Sequence, residues 1–237
     1  ALAIDPQDVV AITARASVNV QLGRHEEAEA GYREALLLRS DEMGARTGLM
    51  ELLRKEGRLK ESEDECRRGI ALRPTDWSSW NLLGATLFEM GRYEEAIDSW
   101  RQVIRLAPDS GRARANSGAA FFRMGELAEA ESAYRDAVEN QRTGMAFTGL
   151  GTVLFYKSDM RGAEEAFEKA VGLRSRETLV LGNLAAARSW LLDRARQASV
   201  NYDQALLLAQ VSLENDHNTQ LHLSNRSRWI SCRDALQ

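Results

Sequence analysis

Apolar residues recur along the chain at helical spacing, in pairs of stretches that a glycine separates. Trp80, Leu83 and Leu87 follow one another at three or four residues, and Gly91 interrupts the pattern. The same spacing resumes over residues 93–106 and stops before a proline. This pattern predicts two helices joined by a short turn, that is, a helical hairpin.

The hairpin pattern repeats along the chain with a constant period. Turn glycines stand 34 residues apart, at Gly23, Gly57, Gly91 and Gly125. Nine residues after each turn comes a column of mostly large residues: Tyr32, Cys66, Trp100, Tyr134 and Phe167. Such a period is typical of repeat proteins, whose hairpins stack because one hairpin cannot bury its own apolar face.

The columns of the third hairpin resemble the tetratricopeptide repeat (TPR) in its bacterial type of array. The matching residues are Trp80, Leu83, Gly84, Leu87, Gly91, Tyr93, Ala96, Trp100 and Pro108. The resemblance extends from residue 1 to about residue 214 and is strongest over residues 43–173. It implies an all-α fold, a right-handed solenoid of stacked antiparallel helix hairpins that forms a TPR superhelix.

The register of the columns predicts how the chain is organised. Residues 1–8 should end a truncated upstream repeat, because residues 1–6 match residues 103–108 column for column. Residues 215–237 should form a terminal capping helix or begin a further partial repeat. We therefore expect a fragment of a longer array or multidomain protein. Six repeats are predicted between these ends: 9–42, 43–76, 77–110, 111–143, 144–177 and 178–214.

Charge and hydropathy exclude two classes of partner. The chain has 31 basic and 35 acidic side chains, interspersed throughout, with a net charge of −4. This balance argues against nucleic-acid binding by phosphate neutralisation. The longest uncharged stretch, 143–156, has 14 residues and is too short for a bilayer, so we expect no direct membrane insertion. The compartment stays open: cytoplasmic, or periplasmic if the parent protein is membrane-anchored.

No residue pattern indicates catalysis, a cofactor or a metal. A phosphate-binding loop is lacking, and the helix at His25 has Glu29 where a zinc protease needs its second histidine. His217, His222 and Cys232 cluster near the carboxyl end without the spacing of ligands on one helix face. We therefore expect a protein that is not an enzyme and has no catalytic, cofactor-binding or metal site.

Three smaller predictions concern structure. Cys66 occupies the column of large residues and should be a buried, inert core residue. The charged segment 54–68 should be a solvated surface with helix-spaced ion pairs. Asp76 and Asp109 follow Pro74 and Pro108 closely and should cap the next helices.

The resemblance also implies where a ligand would bind, because the first helices of TPR hairpins line the concave surface. A column of phenylalanines there, Phe88, Phe122 and Phe155, immediately follows the expected core residues. Small residues and two arginines surround it, which suits an extended peptide or partner helix with apolar anchors. The predicted peptide-binding groove comprises Asn81, Phe88, Arg112, Phe122, Arg123, Met145, Phe155, Tyr156 and Trp190.

A second interpretation of these aromatics stays open, because a residue in this column also packs against its neighbours. For Phe88 and Phe122 the structural and binding interpretations are balanced. The absence of charge over 143–156 favours a binding surface for Phe155, Tyr156 and Trp190. The expected core residues of the preceding column are Leu87, Phe121 and Leu154.

One specialisation of the family is not expected here. Chaperone-binding TPR domains hold a terminal carboxylate with lysine, asparagine and arginine on three successive first helices. In one register the corresponding places hold Thr13, Ser17, Gly48, Ser78 and Leu82. Starting one repeat later places Glu51 where a neutral donor belongs. We therefore predict no chaperone carboxylate clamp.

The favoured function is a non-enzymatic protein–protein interaction scaffold, as a module of a larger bacterial regulatory or signalling protein. The run from Gly182 to Asn215 resembles the ends of arrays attached to bacterial kinases, cyclases and membrane-anchored regulators. One alternative is an adaptor in secretion or envelope assembly. Another is the substrate-recruiting arm of an enzyme such as a glycosyltransferase. The sequence of the whole parent protein separates the three.

Overall fold

The described residues of the chain are helical or lie in short turns, and none of them forms a strand. The structure, a computed structural model, describes residues 8–173, 178–189 and 204–208. The last of these ranges is helical. The all-α fold class is therefore confirmed. The principal helices are α1 (Val9–Gln21), α2 (His25–Leu38), α3 (Met43–Lys55), α4 (Leu59–Leu72), α5 (Trp77–Glu89), α6 (Tyr93–Leu106), α7 (Gly111–Met124), α8 (Leu127–Asn140), α9 (Gly144–Tyr156), α10 (Met160–Gly172) and α11 (Thr178–Ser189).

The chain divides into two compact units. The amino-terminal unit covers Ala1–Asn116, and in it α1 pairs with α2, α3 with α4, and α5 with α6. Each of these hairpins also contacts the next, through α2 with α3 and α4 with α5. The carboxyl-terminal unit covers Ser117–Gln237, where α9 contacts both α8 and α10, and α10 contacts α11. Stacked hairpins are thus confirmed within each unit, while the predicted upstream turn at 1–6 and capping helix at 215–237 lie outside the described residues.

The turn inside each of the first five hairpins has one backbone geometry. In the third, Gly91 N–H donates to Phe88 O at 3.0 Å, and Arg92 N–H donates to Leu87 O at 2.9 Å. This is the Schellman motif, which requires a left-handed residue at its centre. Gly91 has φ +77°, and the other three turn glycines have φ between +73° and +82°. The predicted glycine column is therefore a conformational requirement.

The small-residue columns make room for the large ones. A Cβ atom added at Gly84 would lie 2.6 Å from Nε1 of Trp100, the residue that fills the space between α5 and α6. Tyr134 lies between two glycines: added Cβ atoms at Gly118 and Gly149 would lie 3.0 Å and 2.2 Å from its ring. The hairpins and the stack therefore depend on the same columns.

Cys66 is buried in the same column, as predicted. Burial raises the pKa of its thiol to about 12. The thiol is therefore protonated at neutral pH and inert.

Two details differ from the sequence-based expectation. Asp76 caps α5 by accepting from Ser78 N–H at 3.3 Å and Ser79 N–H at 3.1 Å. At α7, however, Ala113 N–H donates to the hydroxyl of Ser110 at 3.3 Å, one residue beyond the expected Asp109. Phe121 is half-buried, whereas Leu87 and Leu154 are buried as expected.

Acidic side chains of the second helices form ion pairs that connect neighbouring repeats as well as successive turns. Arg58 donates to both carboxylate oxygens of Glu29, at 2.6 Å and 3.1 Å, across 29 residues of chain. Arg92 reaches Glu63 at 2.7 Å in the same way, and Lys157 reaches Glu131 at 2.6 Å. The expectation of helix-spaced pairs alone was therefore incomplete. We call Arg58–Glu29, Arg92–Glu63 and Lys157–Glu131 the inter-repeat ion pairs.

A helix that spans a bilayer needs about 20 consecutive, predominantly apolar residues. Within the described ranges, no helix has enough apolar residues in succession to cross a bilayer.

Candidate functional site

The predicted groove residues of the amino-terminal unit lie on α5 and at the start of α7. Asn81 and Phe88 are half-buried, and Arg112 is exposed. The Phe88 ring contacts Tyr93 edge-on, with centroids 5.3 Å apart, and Trp100 at 6.1 Å. Both partners belong to α6 of the same hairpin. Phe88 thus has a packing role, which favours the structural interpretation of this position.

In the carboxyl-terminal unit the structure brings three predicted aromatics together. The rings of Phe122 and Tyr156 meet edge-on with centroids 5.2 Å apart, and those of Phe155 and Tyr156 at 6.4 Å. Phe122 and Phe155 are half-buried, whereas Tyr156 is 60% exposed. We call these three residues the aromatic cluster. It joins the ends of α7 and α9 and leaves one large ring in solvent.

Helix α9 has its unusual composition because neighbouring helices crowd it. Added Cβ atoms at Gly149 and Gly151 would lie 2.2 Å from Tyr134 and 2.7 Å from Phe167. Both approaches require glycine, and the helix contains no charged residue from Gly144 to Tyr156. Helix α9 therefore lacks the charged residues that the solvent-facing side of a surface helix usually has.

One ridge of α9 has a large, exposed side chain at each end. Met145 is 74% exposed, and it lies eleven residues before Tyr156, which places the two on one face about 16 Å apart. Between them, the Thr148 hydroxyl donates to Gly144 O at 2.8 Å and the Thr152 hydroxyl to Thr148 O at 2.9 Å. The threonine hydroxyls are thus bonded within the helix. We call Met145, Thr148, Thr152 and Tyr156 the α9 ridge.

Charged side chains near the ridge form ion pairs with one another. Lys157 follows Tyr156, and its ammonium donates to Glu131 at 2.6 Å. This hydrogen bond and that from Arg135 hold the pKa of Glu131 below its ordinary value. Burial raises the pKa of Tyr134, under the same helix, to about 12. The ridge therefore lies beside a neutral phenol and a compensated ion pair.

Two predicted groove residues remain, Arg123 and Trp190. Arg123 is exposed next to Phe122 on α7. Trp190 lies outside the described residues. The structure thus brings Phe122, Phe155 and Tyr156 into contact and places Met145 on the same helix face as Tyr156.

Sequence reasoning missed a charged pocket in the amino-terminal unit. It lies among α2, α3 and α4 and contains an ion pair of two buried side chains, Arg46 and Glu65. The signal was present in the columns, since Arg46 and Glu65 occupy the places of Trp80 and Ser99 one repeat later. A charge in a packing column is the observation that would have identified it.

The helix pairs, their glycine turns and the aromatic columns agree with a comparison against protein families. The model of the tetratricopeptide repeat matches residues 13–76 and 81–144, more than half of the chain. The chain belongs to the tetratricopeptide repeat family. TPR proteins are generally non-catalytic scaffolds for protein–protein interaction. The prediction of a TPR array is confirmed.

Solved TPR structures share this fold at low sequence identity. PilF of Pseudomonas aeruginosa superposes with a TM-score of 0.76 at 17% identity, over 96% of this chain and 99% of PilF. The 41-to-end chain of MamA from Desulfovibrio magneticus RS-1 has a TM-score of 0.64 at 21% identity, over 74% of this chain and 99% of that chain. YrrB, a TPR protein with an unusual peptide-binding site, has a TM-score of 0.58 at 22% identity, over 75% of this chain and 92% of the YrrB chain. No curated protein sequence matches the chain significantly.

Proposed function

We propose that the α9 ridge and the aromatic cluster bind a peptide segment or partner helix through apolar anchors. The proposal rests on one observation. An uncharged helix presents Met145 and Tyr156 to solvent, and Tyr156 is supported by Phe122 and Phe155. Large exposed side chains on a rigid, preformed surface are the features that dominate binding energy at protein interfaces.

The chemistry of the surface defines the ligand class. The ridge offers methyl, thioether and ring surface, and its two threonine hydroxyls are already bonded within the helix. An apolar or aromatic anchor fits this surface better than an acidic peptide. The peptide-binding site of YrrB is a precedent for this use of the fold. Arg123, which is exposed next to Phe122, would then meet one flank of the ligand.

The wider role that we propose is that of a module in a larger bacterial regulatory or signalling protein. Its support is the sequence of residues 182–215, which resembles the ends of such arrays. The coding sequence on both sides of this chain tests it. A kinase, cyclase or winged-helix domain would support the assignment, and a lipoprotein signal or a catalytic glycosyltransferase domain would overturn it.

The binding proposal is tested with a defined probe. Random dodecapeptides displayed on phage are selected on the wild-type protein, and the enriched peptides are titrated against the double variant Phe122→Ala/Tyr156→Ala. We expect peptides with aromatic or aliphatic anchors and a loss of affinity of about 30-fold, which is the size of a typical hot spot. Circular dichroism should stay helical.

A matched control distinguishes binding at this site from non-specific binding to exposed aromatic side chains. Trp77, at the start of α5, is 51% exposed, comparable with Tyr156. Trp77→Ala should leave the binding of the selected peptides unchanged. Peptides that bind the double variant as tightly as the wild type would show that the partner uses another surface.

A further inference from the structure

The amino-terminal unit contains a pocket that the proposed function does not use. It has a volume of about 310 Å³ and opens between α2 and α4, with α3 beneath it. Its apolar lining consists of Leu36, Leu37 and Leu49. Arg33, Arg46 and Arg68 line it together with the carboxylate of Glu65, and Arg33 is paired with Glu29 and Glu61 outside this lining. We call this cavity the α2–α4 pocket.

The charged wall of the pocket is built from buried groups. Arg46 and Glu65 are both buried and form an ion pair. Arg46 Nη2 also donates to Ser40 O at 2.8 Å, while Arg68 Nη1 donates to Glu65 at 2.7 Å. One carboxylate therefore faces two guanidinium groups. Within the described part of the chain, Nε of Arg46 is buried without a hydrogen-bond partner.

The stacking of the repeats does not require this arrangement. One repeat later, the places of Arg46, Glu65 and Arg68 hold Trp80, Ser99 and Gln102. A buried ion pair contributes little to stability compared with apolar packing, because both charges lose their hydration. Arginine returns to the column of Arg46 at Arg114, two repeats later, but the combination of Arg46, Glu65 and Arg68 is not repeated there, since those two other places hold Ala133 and Asp136.

The opposite wall of the pocket is apolar and open. Leu37 is 88% exposed, Leu36 is half-buried, and Leu49 forms a buried floor. The place of Leu37 one repeat later is Ala71. The pocket therefore combines two guanidinium groups on one carboxylate with an aliphatic wall, in a volume near the lower limit for small-molecule sites, about 300 Å³.

We propose that the α2–α4 pocket binds a small aliphatic carboxylate. The carboxylate would lie against Arg68, where two guanidinium groups share the single carboxylate of Glu65, and the aliphatic chain would cover Leu37. The exposed guanidinium of Arg68 supplies a charge-assisted hydrogen bond. This site is independent of the proposed groove, because all its residues belong to the amino-terminal unit.

The test titrates the whole chain with sodium octanoate and, in parallel, with neutral octanamide. Binding is followed by amide chemical shifts in two-dimensional NMR. We expect saturable shifts at α2 and α4 with octanoate and none with octanamide. Arg68→Gln should weaken octanoate binding about tenfold, because a hydrogen bond between charged groups is lost. Leu37→Ala should weaken it as well.

Each variant has a counterpart elsewhere in the same unit. Arg101 resembles Arg68: both pair with a carboxylate three residues earlier, and their side chains are 64% and 67% exposed. Arg101→Gln and Leu72→Ala should leave octanoate binding unchanged. Glutamine and alanine are the residues that the next repeat has at the places of Arg68 and Leu37, so both pocket variants suit the fold.

Three results would overturn the proposal: no saturable octanoate binding, equal binding of octanamide, or equal weakening by Arg68→Gln and Arg101→Gln. A further arm titrates a short peptide that ends in leucine, with a free and with an amidated carboxyl group. If only the free peptide binds and octanoate does not, the ligand is a peptide terminus, and the proposed small acid is wrong.

Discussion

The turns inside the first five hairpins share one backbone geometry, but the residue at the left-handed position is not the same in all of them. Gly23, Gly57, Gly91 and Gly125 occupy the left-handed position of the first four, and the fifth has Ser158 with φ +65°. The hydrogen bonds are the same, since Ser158 N–H donates to Phe155 O at 3.0 Å and Asp159 N–H to Leu154 O at 2.9 Å. A side chain in this conformation costs about 1–2 kcal/mol. The turn that follows the α9 ridge is therefore strained.

Ser158→Gly should relieve this strain. Glycine adopts the left-handed region without a steric penalty, although it also has more freedom in the unfolded chain. We expect a net gain of about 0.5–1 kcal/mol in the free energy of unfolding, with a rise in Tm of about 1–3 °C. Chemical and thermal denaturation measure both quantities.

The reciprocal exchange is the control. Gly125 has φ +82° and open space around its Cα, so Gly125→Ser introduces only the backbone strain. It should destabilise by about the amount that Ser158→Gly gains. If Ser158→Gly lowers the stability, the serine side chain contributes more than its conformation costs, and the strain argument is wrong.

At the scale of a helix, the cap of α5 links its stability to pH. Burial would raise the pKa of Asp76, but hydrogen bonds from Ser78 and Ser79 outweigh it and hold the pKa below its ordinary value. A carboxylate with a lowered pKa stabilises the folded state above its unfolded pKa of about 3.9. That contribution disappears as the pH falls through the folded pKa.

Asp76→Ala should therefore cost about 1 kcal/mol of unfolding free energy at pH 7, the typical value of an N-cap. The difference from wild type should shrink as the pH falls below about 4. Asp109→Ala is the matched control, because the corresponding cap of α7 comes from Ser110. Urea denaturation at several pH values measures both. Equal losses for the two variants would contradict the assignment of the caps.

The caps also show how far the sequence can predict this fold. The period, the glycine turns and the aromatic columns predict the helix hairpins, because each column has one steric task. The prediction of Asp109 as the cap of α7 was wrong by one residue. Aspartate and serine are both good N-caps, and a sequence pattern does not decide which of two adjacent candidates caps the helix. Phe121 was expected to be buried like Leu87 and Leu154, yet a larger ring in that column stays half-exposed.

For the candidate site the limits are different. The column of first-helix aromatics predicted Phe122 and Phe155 as groove residues, and the uncharged stretch 143–156 favoured a binding surface at Tyr156. The contacts of these three rings follow from their position at helix ends. That Phe88 packs on Tyr93 and Trp100 depends on side-chain geometry that spacing does not determine. The α2–α4 pocket was missed because segment 54–68, which includes the buried Glu65, was assigned to solvent and no role was predicted for Arg46. Burial of Arg46 and Glu65 results from tertiary packing.

At the scale of the whole molecule, acidic side chains on the second helices connect neighbouring repeats in both compact units. A hydrogen bond from Arg58 is the main cause of the lowered pKa of Glu29, and one from Lys157 that of Glu131. At Glu63, burial acts in the opposite direction, but Arg67 and Arg92 outweigh it and lower the pKa. These three side chains are mostly buried, so solvent screens them less than ordinary surface pairs.

The inter-repeat ion pairs should make the array sensitive to acid. Because the three pKa values are lowered in the folded state, their contribution is complete above the unfolded value of about 4.3 and is lost as the pH falls through the folded values. The triple variant Glu29→Gln/Glu63→Gln/Glu131→Gln should lose about 1–2 kcal/mol at pH 7. It should also show a smaller loss of stability between pH 6 and about pH 3 than the wild type.

A charge-matched control removes three exposed carboxylates instead, through Asp64→Asn, Glu139→Gln and Glu165→Gln. Its net charge equals that of the test variant, so long-range charge effects cancel in the comparison. We expect its unfolding free energy and pH profile to follow those of the wild type. If both triple variants change the pH profile equally, net charge governs the acid response, and the ion pairs between repeats do not contribute to the stability of the stack.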